Sequence, residues 1–328
     1  MDFVVTGCAG FVGARVCEML LERGDRVAGM DNLNDAYDPA LKEKRLRNLF
    51  SSDRFIFEKT DIADSGAVAN FFAGMRGFSP KAVINLAARA GVRRSAEIPA
   101  EYYKTNVLGT LNLLEACREN GTEKFVFISS SSVYGNGRLP LAEAVSETDK
   151  PLSPYAASKS AGEGLCHSYH KLFGIDVSAL RYFTVYGPAG RPDMSVFRFV
   201  RAVAEGNEIV LYGDGTQSRD FTFVDDAARA TLLSVKNVGF EQINIAGGNV
   251  VSLNEIIALI EDGLSKKAVV RKEPMNPADS KATAADISKA EKILGWEPQT
   301  DIKKGVKSCI DWYLENREWA SRLEMPEV

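Results

Sequence analysis

The chain has 328 residues, 45% hydrophobic and 26% charged, a balance that excludes a disordered, collagen-like or disulfide-scaffold protein and exceeds one compact domain of about 100 to 200 residues. Forty Lys and Arg against forty-four Asp and Glu leave a net charge of −4 without a basic block, so neither nucleic acid nor an anionic membrane is an expected partner. Five scattered cysteines without CxxC spacing, an opening unlike a signal peptide and the lack of any apolar run long enough to cross a bilayer together predict a cytoplasmic protein with reduced thiols.

The first predicted strand, Asp2 to Thr6, runs into Thr6-Gly7-Cys8-Ala9-Gly10-Phe11-Val12-Gly13, and apolar Val12, Val16, Met19 and Leu20 follow at helical spacing. A glycine-rich turn opening a helix is a phosphate cradle: Gly7 takes the turn, Gly10 lets backbone approach a diphosphate, and Gly13 allows the helix close to the sheet. The second strand, Arg26 to Asp31, ends in an acid eighteen residues beyond Gly13, where a carboxylate accepts hydrogen bonds from an adenosine ribose and repels a 2'-phosphate. NAD is therefore expected over NADP. The third strand, Phe55 to Glu58, leads to Asp61-Ile62, placed to reach the adenine. The fourth, Ala82 to Leu86, ends in Leu86-Ala87-Ala88, small enough for backbone to approach a dinucleotide.

A long helix is predicted near Ala100 to Glu119, then a fifth strand, Phe125 to Ser129, running into Ser130-Ser131-Ser132 and Val133-Tyr134-Gly135. Ser153-Pro154 opens a second long helix, to Phe173, on which Tyr155 and Lys159 share a face. A phenol titrates near 10 in water, so a neighbouring ammonium is needed to favour the phenolate. Tyrosinate as base, nicotinamide as hydride acceptor and a serine hydroxyl on the developing oxyanion describe alcohol oxidation. His167 and His170 on the same helix lack a metal-ligand set around them, so no metal is expected.

A sixth strand, Asp176 to Arg181, completes an alternation that reads as α/β: a doubly wound parallel sheet with a smaller lobe on the C-terminal side. From Gly187 the pattern breaks. The boundaries expected are residues 1–186 for the dinucleotide-binding domain, with 220–246 returning to it through strands at Asp220 to Val224 and Gln242 to Ala246, and 187–219 with 247–328 for the lobe.

TGxxGxxG, the serine run before VYG and YxxxK make the chain resemble the extended short-chain dehydrogenase/reductase family over nearly its whole length, which implies a Rossmann sheet and a substrate-binding lobe. Asp31-Asn-Leu-Asn-Asp35 with Tyr37-Asp38-Pro39, Ala87-Ala-Arg-Ala-Gly-Val-Arg93, and Arg181-Tyr-Phe-Thr-Val-Tyr-Gly-Pro188 followed by Gly190-Arg-Pro-Asp193 are similar to strings of its nucleotide-sugar 4-epimerases. Thr184, where the galactose-type enzymes generally have asparagine, points to UDP-glucuronate as substrate and UDP-galacturonate as product. Cys8, Arg89, Arg94 and the Gly213-Asp-Gly-Thr-Gln segment depart from the glucuronate pattern, and UDP-glucose or UDP-N-acetylglucosamine is the alternative substrate. A non-catalytic NAD-sensing protein is the alternative of another class.

The resemblance implies Tyr155 as catalytic acid/base, Lys159 as its partner and Ser130 as hydroxyl donor, with Ser131 and Ser132 on the sugar. It places NAD on Gly7, Gly10, Phe11, Val12, Asp31, Asn32, Asp61, Ile62, Ala87, Ala88, Asn106, Tyr155, Lys159 and Phe183, to which Gly13 and Leu86 are added from the strand-end reading. It places the sugar carboxylate or diphosphate on Thr184 and Arg191, the diphosphate and nucleoside on Arg219, and the uridine ribose on Asp279. It also implies a homodimer paired through the two long helices.

Overall fold

The computed structural model describes residues 1–144, 150–275 and 280–325. Its strands alternate with period two between two cores. Phe3 and Val5 pack into one cluster with Val27, Ile84 and Val126, while Val4 packs into another with Ala28, Val83 and Phe127. Both faces are therefore covered, the condition under which all-parallel sheets are stable.

The strands are β1 (Asp2–Thr6), β2 (Arg26–Asp31), β3 (Phe55–Lys59), β4 (Pro80–Asn85), β5 (Lys124–Ser130), β6 (Asp176–Tyr182), β7 (Thr184–Tyr186), β8 (Glu208–Tyr212), β9 (Ser218–Phe223), β10 (Phe240–Ile245), β11 (Val250–Ser252) and β12 (Val269–Glu273). Seven of them form one parallel sheet in the order β10-β6-β5-β4-β1-β2-β3. The order reverses between β1 and β4, and a crevice opens there at the carboxyl ends of the strands. Gly7 stands at that reversal with φ +68°, and a Cβ on it would lie 2.7 Å from the Ala87 amide nitrogen. Glycine is the residue that lets the two strand ends meet.

The expected strand at Gln242 to Ala246 is β10, paired in parallel with β6. Its companion does not return to the main sheet: β9 lies between β7 and β11 in a separate three-stranded sheet. The helix Val224–Leu233 separates the two, packing against the helix Phe11–Glu22, to which the Arg15–Asp225 ion pair also ties it at 2.9 Å. β8 and β12 form a parallel pair, and the helices Ser195–Glu205, Leu253–Leu264 and Ile302–Glu315 build the lobe core around Phe197, Ile256, Ile260 and Tyr313.

The two long helices are present, the second over Pro154–Phe173. The first is interrupted by a π-helical turn at Lys104–Leu108 between Pro99–Tyr103 and Gly109–Asn120. Such a turn inserts a residue into the helical ladder and often marks a functional wall. Among the described residues no helix is long and apolar enough to cross a membrane.

Candidate active site

A cavity of about 440 Å³ runs along the carboxyl ends of the sheet and on to β7, β9 and the segment at Ser280 and Thr283. One end is lined by Gly7, Gly10, Phe11, Val12, Gly13, Asp31, Asn32, Asp61 and Ile62, and the middle by Leu86, Ala87 and Ala88. The other end gathers Ser130, Ser131, Ser132, Tyr155, Lys159, Phe183, Thr184, Arg191 and Arg219. Asn106 is the exception: it lies on the π turn behind the wall, joined to the Arg89 backbone at 2.8 and 3.0 Å and to Ser158 at 2.9 Å. Its amide is consumed in holding the wall. Asp279 lies outside the described residues.

The glycine turn is shaped for a diphosphate. A Cβ on Gly13 would fall 2.0 Å from the Gly7 carbonyl oxygen, and one on Gly10 would fall 2.9 Å from the same atom. The helix that follows begins without a side-chain cap and without an acid in its first turn, so its amide end keeps its positive partial charge for an anion. Asp31 is fixed by amides at both oxygens, Leu33 donating to Oδ1 at 2.8 Å and Ala9 to Oδ2 at 3.2 Å. Asp61 accepts from Asn32 at 3.1 Å and from the Ala63 amide at 2.9 Å. These residues fit an adenine dinucleotide with a free ribose 2'-hydroxyl.

Local sequence explains the chemical end. Ser153 caps the helix by accepting from the Ala156 amide at 3.2 Å, and Pro154 starts it. Gly162 brings that helix onto β5, since a Cβ there would sit 2.4 Å from the Phe127 ring. Lys159 consequently reaches the Ile128 carbonyl at 2.7 Å, is 4% exposed, and is pushed down to about 8 by burial. Burial raises the Tyr155 phenol, while a hydrogen bond from Ser130 and the positive charge of Arg191 work against that rise. Sequence reasoning gave this counter-role to Lys159. In the folded chain the Lys159 ammonium is held against β5 at the Ile128 carbonyl, and the Ser130 hydroxyl and the Arg191 guanidinium also act on the phenol.

Several functional-looking residues escaped the sequence reading. Thr6 donates to Asn85 at 2.8 Å and accepts from the Ala87 amide at 3.1 Å, which fixes the small-residue strand end. Glu163, one turn beyond Lys159, accepts from Ser129 at 2.5 Å, from Arg181 at 2.9 and 2.7 Å and from Gln242 at 2.6 Å. One buried carboxylate thus locks the helix to β5, β6 and β10 next to the reacting groups. Tyr37 lines the cavity from the segment before a helix, Pro39–Leu49, and Lys42 from the helix itself, whose polar sequence conceals that Leu41, Lys42 and Arg45 are buried. The i, i+4 step from Lys159 to Glu163 was the one available signal; buried cations leave none.

The model of the NAD dependent epimerase/dehydratase family matches residues 3–246. The chain belongs to that family. A UDP-glucuronate 4-epimerase of Thermodesulfobacterium geofontis is 50% identical over 324 residues, covering 98% of this chain and 99% of the relative. Among solved structures, the UDP-glucuronic acid 4-epimerase of Bacillus cereus in complex with UDP-glucuronic acid and NAD is similar with a TM-score of 0.91 and 37% identity, over 96% of this chain and 100% of that one. The UDP-glucose 4-epimerase of Thermotoga maritima with UDP-glucose follows at TM-score 0.89 and 30% identity, over 97% and 100%. The two solved structures share this chain's fold, and the glycine turn, β2 to β6, the serine run and the Tyr155 helix all lie within the residues the family model matches.

Proposed function

We propose that this family member is an NAD-dependent 4-epimerase that interconverts UDP-glucuronate and UDP-galacturonate. The observation that carries the reading is one cavity in which Tyr155, Ser130 and Lys159 meet Thr184 and Arg191 at one end and the Asp31 ribose site lies at the other. The 50% identical UDP-glucuronate 4-epimerase supports the same substrate.

Tyr155, as phenolate, takes the proton of the sugar C4 hydroxyl, and Ser130 donates a hydrogen bond to the same oxygen as it becomes a carbonyl. Held along the glycine turn and Asp31, NAD would supply the hydride acceptor and donor that keeps the overall reaction redox-neutral. Lys159 holds position against β5, with an amine near enough to neutrality to exchange a proton at physiological pH. Rotation of the 4-keto sugar offers its other face, and Tyr155 then reprotonates the oxygen. Thr184 and Arg191 receive the carboxylate. Among the described residues the acids lining the cavity are Asp31 and Asp61, both at the adenosine end, and none of these stands at Ser130–Ser132 to promote elimination of water.

The division into a dinucleotide-binding domain and a substrate lobe, with residues 220–246 bridging them, belongs to this reading. So does a homodimer. Tyr103 and Leu108 on one long helix and Leu172 and Phe173 on the other are exposed apolar side chains, which supports that pairing, and light scattering at two concentrations tests it. Five free, buried cysteines support a cytoplasmic setting.

The test is proton NMR of the purified chain with UDP-glucuronate, UDP-glucose and UDP-N-acetylglucosamine in separate tubes, with and without added NAD. Formation of UDP-galacturonate alone is expected, and Tyr155→Phe should lower turnover by about a hundredfold or more while NAD still binds. Conversion of the neutral sugars only would overturn the substrate. Silence on all three would favour the NAD-sensing alternative.

A further inference from the structure

Resting on the NAD reading, we propose that Lys42 is a cofactor-anchoring residue that contacts the diphosphate of the bound dinucleotide, facing the amide end of the helix Phe11–Glu22 from across the cavity.

Four observations support it. Lys42 lines the cavity yet is only 5% exposed, so its ammonium is turned inward. Its Nζ lies 3.8 Å from Asp31 Oδ1, beside the ribose site, and donates to Asn34 at 2.9 Å. The next turn of its helix is pinned to the glycine loop itself: Arg45 donates to the Ala9 carbonyl at 3.1 Å, to the Tyr37 hydroxyl at 2.7 Å and to the Ala189 carbonyl at 2.6 Å. The Tyr37 ring then carries Lys42, Arg45 and Arg191 around it at 5.2, 5.6 and 5.8 Å.

The charge balance explains why an ammonium belongs at this point. Asp31 already accepts two backbone amides, and Arg191 is paired with Asp193. Burial and the neighbouring Arg45, Arg191 and Arg89 all act to lower the proton affinity of Lys42, with Asp31 the opposing influence. A lysine serving only as a spacer would be less strained as a neutral side chain. A buried cation among cations is stabilised by an anion of more than one charge, and the dinucleotide diphosphate is such an anion. Helix amides on one side and Lys42 on the other complete its coordination.

Calorimetric titration of the full chain, after measuring the nucleotide retained through purification, tests this with adenosine, ADP and NAD on wild type, Lys42→Met and Lys42→Arg. Lys42→Met should weaken ADP and NAD about ten- to hundredfold, leave adenosine within about twofold, and lose retained nucleotide, while Lys42→Arg recovers part of the affinity. Methionine keeps the stem over Tyr37, and an unchanged melting curve for Lys42→Arg separates binding from folding. Equal weakening of adenosine would overturn the proposal in favour of a prop for Asp31. Unchanged ADP affinity would overturn it outright. Wild type binding neither ADP nor NAD would refute the cofactor reading itself.

Discussion

Replacing Lys159 with methionine should destroy catalysis and stabilise the fold, and the size of the gain follows from burial. The ammonium is 4% exposed and titrates at about 8 rather than at the ordinary lysine value of 10.5. At about 1.4 kcal/mol per pH unit, holding it charged at pH 7 costs about 3 kcal/mol of folding free energy. Methionine removes that cost and fills similar volume, but it leaves the Ile128 carbonyl without its 2.7 Å partner, an opposing loss of about 1 to 3 kcal/mol. A net gain of about 1 kcal/mol at pH 7 is expected. The more decisive quantity is its pH dependence. The folded chain binds fewer protons at Lys159 than the unfolded chain between pH 8 and 10.5, so wild-type stability rises with pH across that window. Relative to Lys159→Met, wild type should recover about 3 kcal/mol by its upper edge. Urea unfolding of both proteins at pH 7, 8, 9 and 10, at equal nucleotide content, measures the difference and cancels other titrations common to both. A difference that stays flat from pH 7 to 10 would refute the claim that the site holds a desolvated lysine.

Two further perturbations address the scaffold. Arg181→Met removes two of the four hydrogen bonds on the buried Glu163 carboxylate and should cost about 3 to 5 kcal/mol in urea unfolding, most of it restored by adding Glu163→Gln. An equal loss in the double variant would mean that packing, not the stranded charge, sets the penalty. Gly13→Ala drives a methyl to 2.0 Å from the Gly7 carbonyl, so the helix start must shift; stability should fall by about 1 to 3 kcal/mol, and the released-nucleotide assay should find little NAD. Normal NAD content in that variant would show that the turn tolerates displacement.

Much of the architecture was legible in the chain because the relevant signals are local. A continuous apolar run such as Phe3-Val4-Val5 marks a strand covered on both faces, and a glycine triplet between strand and helix, with an acid ending the next strand, marks an anion cradle. The reading failed where spatial neighbours outweigh local pattern. β9 shows the same apolar alternation as β10, yet it pairs with β7 and β11 in a separate sheet, a choice of partners that alternation along the chain does not encode. Asn106 looks like a ligand contact by motif and is spent on backbone behind the wall.

By itself the sequence determined the doubly wound order of strands and helices, the acid that ends β2, and the Tyr155 and Lys159 pair on one helical face, since each depends on spacing along the chain. Only the tertiary structure decided which charges act on which groups. Lys159 is drawn to β5 and pushed toward neutrality, Ser130 and Arg191 counter the burial of the Tyr155 phenol, and Lys42 is carried into the cavity by a helix of polar composition. Electrostatic influence depends on distance and desolvation, and neither is encoded by separation in sequence.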